Sequence, residues 1–516
     1  MKVIGYDVGT TGFKAALYDI SSEEFRLIAS ETEHYPLKML AGGGAEQDAE
    51  DWWRAMCSTT RNLIEKTGTA KSEIKGISCC SQCCTLVMAD EHGRALRPAM
   101  SIMDTRASAQ FNRTFCSGVT IAGYNAGKLL KFLKATSAAP ASAKDTVYRY
   151  LWVKENEPEI FKRTYKWLDT KEYLNARATG NIKVSRDNAY VTFLYDPNEG
   201  IWREDLCRMT GVDIGHLPDI CDSTDIVGEL IPSAAEELGL SPGTAVISGG
   251  NDVSLCQAGS GALEEGDVNI CSGTSGWVST ITGKRQVDIF HGVGTLVSAD
   301  PDSYIYMADC ETAGKCMEWV KERLQKTPLS TYGELLEAIS DVPAGSNGVI
   351  FSPWMHGNRC PFEDANARGL FFNIDVDNRS GDMIKSVIEG VCMHMRWLLE
   401  TSEKKVQTNP VIRFSGGSAL SGEVAQILSD VTGREIEVTE NPRQVGTMGA
   451  AAAIAVFFGL TKDMKEIKQR IKVSGRYEPE MKNKEIYDRM FPVFKDLYKN
   501  NKKAYAYLNE TAAKKQ

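Results

Sequence analysis

The chain begins with an apolar strand that stops at a Gly/Thr turn and doubles back: Val3-Ile4-Gly5-Tyr6-Asp7-Val8-Gly9-Thr10-Thr11-Gly12-Phe13-Lys14-Ala15-Ala16-Leu17. Far downstream the same plan returns in Asp267-Val268-Asn269-Ile270-Cys271-Ser272-Gly273-Thr274-Ser275-Gly276-Trp277-Val278-Ser279-Thr280. A strand–turn–strand unit repeated roughly half a chain apart predicts a duplicated fold carrying two phosphate loops. In the first copy the glycines let the backbone fold tightly and bring N–H groups against a polyanion, while Thr10 and Thr11 add hydroxyl donors and Lys14 adds charge. Asp7, ending the first strand, suits a hydrated Mg²⁺, which favours one or two carboxylates beside phosphate oxygens. Taken alone, the first segment also reads as an ordinary glycine-containing hairpin.

A third Gly-rich turn, Phe414-Ser415-Gly416-Gly417-Ser418-Ala419, follows the apolar Val411-Ile412 and precedes a helical pattern. Its glycines would let the backbone approach a flat base or ribose. Another strand, Val246-Ile247-Ser248-Gly249-Gly250-Asn251, ends in glycines just before Asp252. That places a carboxylate at the open edge of a sheet, where ligands bind in α/β folds, and makes Asp252 a candidate general base. The residue type equally fits a cap for a helix beginning near Val253, and the two roles are compatible.

With 516 residues, 42% apolar and 25% charged, the chain can form two domains of about 250 residues each. A formal charge of -9 argues against a nucleic-acid partner. Lys499, Lys502 and Lys503 belong to the solvated face of a C-terminal amphipathic stretch whose apolar stripe is Tyr487, Met490, Phe491, Phe494, Leu497 and Tyr498. The longest apolar run, residues 450–460, is too short to span a bilayer and reads as a buried Ala-rich helix. With Asp7 interrupting any secretory h-region, a cytoplasmic protein without a membrane partner is expected. Residues 135–150 read as a surface loop before a helix over 148–155.

Of the 14 cysteines, Cys79-Cys80-Ser81-Gln82-Cys83-Cys84 contains a CxxC, but no second CxxC or His pair completes a tetrahedral site. Free thiols in a reducing compartment are expected. No G-x-x-x-x-G-K-[ST] is present, no G-x-G-x-x-G follows a predicted strand, and the protein-kinase motifs are absent.

Over roughly residues 1–460 the chain resembles the FGGY family of carbohydrate kinases, within the actin and hexokinase superfamily, and is most similar to its xylulokinase-like members. The likeness rests on the opening hairpin, Glu46-Gln47-Asp48 with Trp52-Trp53, the stretch from Leu96-Arg97-Pro98-Ala99 to Asp104-Thr105-Arg106, and Gly249-Gly250-Asn251-Asp252. It continues through Gly273-Thr274-Ser275, Gly357-Asn358-Arg359-Cys360-Pro361 to Ala367-Arg368-Gly369, and Gly416-Gly417. The resemblance implies an α/β fold of two ribonuclease-H-like domains, each built on a mixed five-stranded sheet, with a nucleotide and sugar cleft between them. It implies residues 1–247 as the sugar-binding domain with the first phosphate hairpin. Residues 248–516 would then hold the second hairpin, the adenosine site and the C-terminal helix, with the boundary near residues 243–250.

The resemblance also implies ATP and Mg²⁺, with Asp252 as the base and Asp7 acting through Mg²⁺. Thr10, Thr11, Lys14, Gly273 and Thr274 would contact phosphates, and Gly314, Gly416 and Gly417 would border the nucleoside. Gln82, Cys83, Cys84, Asp104 and Asp252 would line the sugar site. Xylulokinases carry Gln-Met-His-Gly where this chain has Gln82-Cys83-Cys84-Thr85, and Val253 replaces an Asn or Gln often found after the base. The expected reaction is phosphorylation of a sugar or polyol hydroxyl, with a small-molecule acceptor and room for a homodimer. D-Xylulose stays open beside another ketose, polyol or sugar acid of ribulose, erythritol or gluconate type. A catalytically silent sensor and an actin-like ATPase on the same fold are the remaining alternatives.

Overall fold

The computed structural model describes residues 1–121, 123–324 and 331–513. The chain divides into two compact units: Met1–Gly261 with Leu296–Tyr304 and Gln444–Ile471, and Ala262–Thr295 with Ile305–Arg443 and Lys472–Gln516.

The first unit is organised by strands β1 (Lys2–Val8), β2 (Gly12–Ile20), β3 (Phe25–His34), β4 (Ile74–Ser81) and β5 (Ala245–Asn251). Strand β1 is central, antiparallel to β2 and parallel to β4, and its Val3, Ile4, Tyr6 and Val8 are buried. A strand covered on both faces calls for such a near-continuous apolar run. The sheet order is β5-β4-β1-β2-β3, with Ile226–Glu229 added beside β5 as a sixth strand.

The second unit repeats this plan with β6 (Val268–Ser272), β7 (Gly276–Thr282), β8 (Tyr304–Cys310), β9 (Val411–Ser415) and β10 (Glu435–Thr439). Strand β6 is antiparallel to β7 and parallel to β9, and β9 is parallel to β10. The order β8-β7-β6-β9-β10 matches that of the first sheet, and edge strands enlarge this one to eight. The five-stranded plan is therefore the shared core of both sheets, extended at the edges. The long helix Met481–Ala513 buries Tyr487, Phe491, Phe494 and Leu497 against this unit, while Lys499, Lys502 and Lys503 are exposed.

Two boundaries differ from the sequence reading. Residues 243–250 do not separate the units, because β5 pairs in parallel with β4 inside the first sheet, and the division follows Gly261. The helix over 148–155 extends over Thr146–Asn156, shortening the preceding loop.

The contiguous two-half division also fails at residues 444–471, which return to the first unit. Helix Val445–Phe457 lies backbone to backbone on β1 and on helix Asp252–Gly259. A Cβ at Gly5 would sit 2.1 Å from the Thr447 carbonyl oxygen, and one at Gly449 would sit 2.1 Å from that of Leu255. No side chain fits either place. Among the described residues no helix is long and apolar enough to cross a membrane.

Replacing Gly449 by Val should therefore lower unfolding stability by about 1–3 kcal/mol, the usual range for overpacking a filled core. Denaturant unfolding checks this, and an unchanged midpoint would show that the helix is free to shift.

Candidate active site

Strands β4 and β5 end side by side, with Asn251 opposite Ser81, so Asp252 and Gln82 follow at one edge of the first sheet. The turn into helix Asp252–Gly259 is pinned. Gly249 has φ 71°, and a Cβ there would sit 2.0 Å from the Cys79 carbonyl oxygen. The buried carboxylate of Asp187 accepts from the Asn251 amide at 2.7 Å. Asn251 is the helix cap, its side chain accepting from the Ser254 amide at 2.9 Å. The capping role considered for Asp252 thus belongs to its neighbour, and Asp252 is the first helical residue, accepting from the Val253 amide at 2.9 Å.

Burial, reinforced by the charge of Asp7, pushes the Asp252 carboxyl up to about 7, against the opposing pull of the Val253 amide. Asp7 stands opposite Lys14 across β1 and β2, and the Lys14 ammonium donates to its carboxylate at 2.8 Å. That carboxylate raises the Lys14 pKa.

At the intervening turn the carbonyls face the protein. Gly9 O accepts from the Tyr35 hydroxyl at 2.5 Å and Thr10 O from Gln47 Nε2 at 2.7 Å, while Thr11 O lies 3.1 Å from His34 Nδ1. Inward carbonyls turn the opposing peptide N–H groups outward, the orientation an anion needs. Gln47, quoted in the sequence only as part of a motif, carries this arrangement onward, its Oε1 accepting from Gln82 Nε2 at 2.9 Å. Gln82 is 6% exposed, and its Oε1 is buried without a hydrogen-bond partner.

Cys83 and Cys84 follow, both half-buried, with their sulfur atoms 3.9 Å apart. The Thr85 amide donates at 3.1 Å to Asp169, the cap of helix Thr170–Thr179. Asp169 was not anticipated as a site residue. Its carboxyl is pushed up to about 7 by burial and by the charge of Glu172. The available signal was the pattern already noticed at Asp252, an apolar Trp167-Leu168 ending in Asp-Thr before a helix.

Asp104 corrects the sequence reading. It has 0% exposure, and its carboxylate accepts from the Ala45 amide at 2.9 Å and from Arg106 Nη2 at 2.6 Å. Its lone pairs are used internally, so it orients Arg106 instead of presenting oxygens to a sugar. Arg106 in turn donates to Glu46 at 2.6 Å and lies over the Trp152 ring at 4.4 Å.

In the second unit three separate glycine segments converge. The Gly314 amide donates to Gly273 O at 2.8 Å and the Ala313 amide to Thr274 O at 3.1 Å. A Cβ at Gly416, whose φ is 91°, would sit 2.5 Å from Ser272 O, while Gly417 faces open space. The Ser272 and Ser418 hydroxyls are 2.9 Å apart, and Thr274 and Ser275 form an exposed tip. The result is a side-chain-poor surface beside exposed hydroxyls and amides, suited to a nucleotide.

Two domain models cover nearly all of this framework: the N-terminal domain of the FGGY family of carbohydrate kinases over residues 2–259, and its C-terminal domain over residues 268–457. The chain belongs to the FGGY family of carbohydrate kinases. This FGGY kinase is 28% identical over 502 residues to the xylulose kinase of Bacillus subtilis (strain 168), spanning 97% of each chain. It is similar to a gluconate kinase from Lactobacillus acidophilus, with TM-score 0.86, 26% identity, and coverage of 98% of this chain and 99% of that one. A ligand-bound xylulose kinase from the same organism gives TM-score 0.85 and 26% identity, with coverage of 98% and 99%. The protein is an ATP-dependent carbohydrate kinase, a phosphotransferase with an alcohol group as acceptor.

The raised Asp252 pKa makes a stability prediction for this FGGY kinase. Between the ordinary Asp value near 4 and about 7, the folded state keeps a proton that the unfolded state has lost, so the Asp252 contribution to stability falls as pH rises. Asp252→Asn should raise the melting temperature at pH 8 and have a smaller effect at pH 5. A destabilised variant at pH 8 would show that the carboxylate is welcome in its site.

Proposed function

We propose that Asp252 accepts the proton of the attacking hydroxyl as the γ-phosphoryl group of ATP is transferred to an uncharged ketose or polyol. The observation that carries this reading is the placement of a half-buried carboxylate, with its pKa at about 7, at the same sheet edge as Gln82, whose Oε1 lacks a donor. A base is most effective when its pKa lies near the working pH, and an orphaned buried acceptor suits a sugar hydroxyl.

The outward amides of the first hairpin, Thr10, Thr11 and Lys14 would serve the phosphates. Gly273, Thr274, Gly314, Gly416 and Gly417 would serve the phosphates and nucleoside from the second unit. Asp7, one carboxylate beside the phosphate hairpin, fits a hydrated Mg²⁺, which would offset phosphate charge when bound with ATP. Asp187 and Gly249 would act through Asp252 by fixing the turn that precedes it, Asp187 through the Asn251 amide.

The charge around Cys83 favours a neutral acceptor. Asp252 and Asp169 both act on this thiol, and each already holds its proton to about 7, so a sugar acid placed here would bring a permanently charged carboxylate to an edge that disfavours negative charge. Cys83, Cys84 and Val253 also supply fewer strong hydrogen bonds than the His and amide side chains of xylulokinases.

Asp252→Ala should lower kcat by about 10²–10⁴ while ATP binding persists, measured by coupled ADP release and nucleotide titration. Near-normal turnover would remove Asp252 from the chemistry. Across a panel of pentuloses, polyols and D-gluconate, kcat/KM should be at least about 100-fold lower for gluconate than for the best neutral acceptor, about 2.7 kcal/mol of transition-state discrimination. D-Xylulose should rank below another ketose or polyol. Gluconate as the best acceptor would contradict the neutral-acceptor reading, and D-xylulose as the best would contradict the argument from missing donors.

A further inference from the structure

Consecutive side chains in extended backbone point to opposite faces, which normally keeps neighbouring cysteines apart. Cys83 and Cys84 escape this because Cys84 is left-handed, with φ 60°, and their sulfurs lie 3.9 Å from each other. The loop is held on both sides. The Gln82 amide donates to Val8 O at 2.7 Å, the Thr85 amide donates to Asp169 at 3.1 Å, and the buried Arg149 guanidinium donates to Cys84 O. Most other cysteines are buried, while the two remaining half-exposed ones lie apart, Cys57 within helix Ala49–Thr67 and Cys116 at the end of helix Ser108–Phe115.

We propose that Cys83 and Cys84 form a pre-organised dithiol site for trivalent arsenicals, and that its occupation stops the kinase. Soft sulfur ligands select soft centres, and a fixed pair offers a chelate without further ordering of the loop. For an organoarsenic(III) oxide, both S–H bonds and the As=O bond are broken and two As–S bonds form. The two protons leave with the oxide oxygen as one water, and arsenic stays trivalent. Contact with Cys84, burial, and the charges of Asp252 and Asp169 hold the Cys83 thiol well above its ordinary pKa. An alkylating agent that needs a thiolate therefore reacts slowly, whereas the oxide supplies its own proton acceptor. Loss of activity on binding rests on the reading that this loop borders the acceptor hydroxyl, and the chelation itself does not.

The test uses the full chain and phenylarsine oxide at equimolar concentration. Intact mass should show one phenylarsenic group bound with loss of two thiol hydrogens, peptide mapping should place it on residues 83 and 84, and iodoacetamide should label Cys83 slowly. Kinase activity should fall and return with a dithiol but not with a monothiol. Closing the second As–S bond within the loop is worth about 10²–10⁴ in apparent affinity, so Cys83→Ser and Cys84→Ser should each weaken binding by that factor. Cys57→Ser and Cys116→Ser should bind as the parent does. No adduct, an adduct mapped elsewhere, or unchanged affinity in either of the first two variants would overturn the dithiol site. A mapped adduct with undiminished activity would overturn the inhibition and, with it, the placement of the loop beside the acceptor.

Discussion

The contact that the first unit depends on is made by backbone atoms. Helix Val445–Phe457 approaches β1 so closely that a Cβ at Gly5 would meet Thr447 O, and a Cβ at Gly446 would come within 2.9 Å of the Asp7 carboxyl carbon. The same helix meets helix Asp252–Gly259, where a Cβ at Gly259 would sit 1.8 Å from Val445 O. Residues at opposite ends of the sequence are thus locked against the strand that carries Asp7 and the helix that carries Asp252. Buried glycines have a large conformational cost, and close packing around them fixes the two carboxylates with little room to relax.

The electrostatic character of the site follows from that packing. Asp252 is half-buried, partly desolvated, and lies within the field of Asp7, so its proton is held to about 7. Lys14 balances Asp7 at 2.8 Å, and Asp187 holds the Asn251 amide just before Asp252. A carboxylate that costs stability when charged is a poor structural element and an effective proton acceptor, a common exchange at active sites. The glycine turns of the second unit need no such tension. In the second unit Gly314 and Gly416 bring three chain segments together by leaving out side chains.

Local patterns were legible in the sequence. Each Gly/Thr hairpin is contiguous, Asp252 directly follows its strand, and the stripe through Tyr487, Phe491, Phe494 and Leu497 repeats at helical spacing. The return of residues 444–471 to the first unit was not legible, because Gly446 and Gly449 look like ordinary members of an Ala-rich helix until their distant backbone neighbours are known. Asp104 misled for a related reason. Its residue type suits a sugar contact, but the Ala45 amide and the Arg106 fork consume its oxygens. Asp169 went unrecognised because a helix cap explains it locally, and its proximity to the loop of residues 83–85 arises only from the fold.

The fold holds Asp252 as a carboxyl group poised near neutral pH. The most direct measurement is an infrared titration of carboxyl stretching in the unliganded protein, with the spectrum of Asp252→Asn subtracted at each pH. One difference band should titrate near pH 7. A band that titrates in the ordinary aspartate range near pH 4 would contradict it.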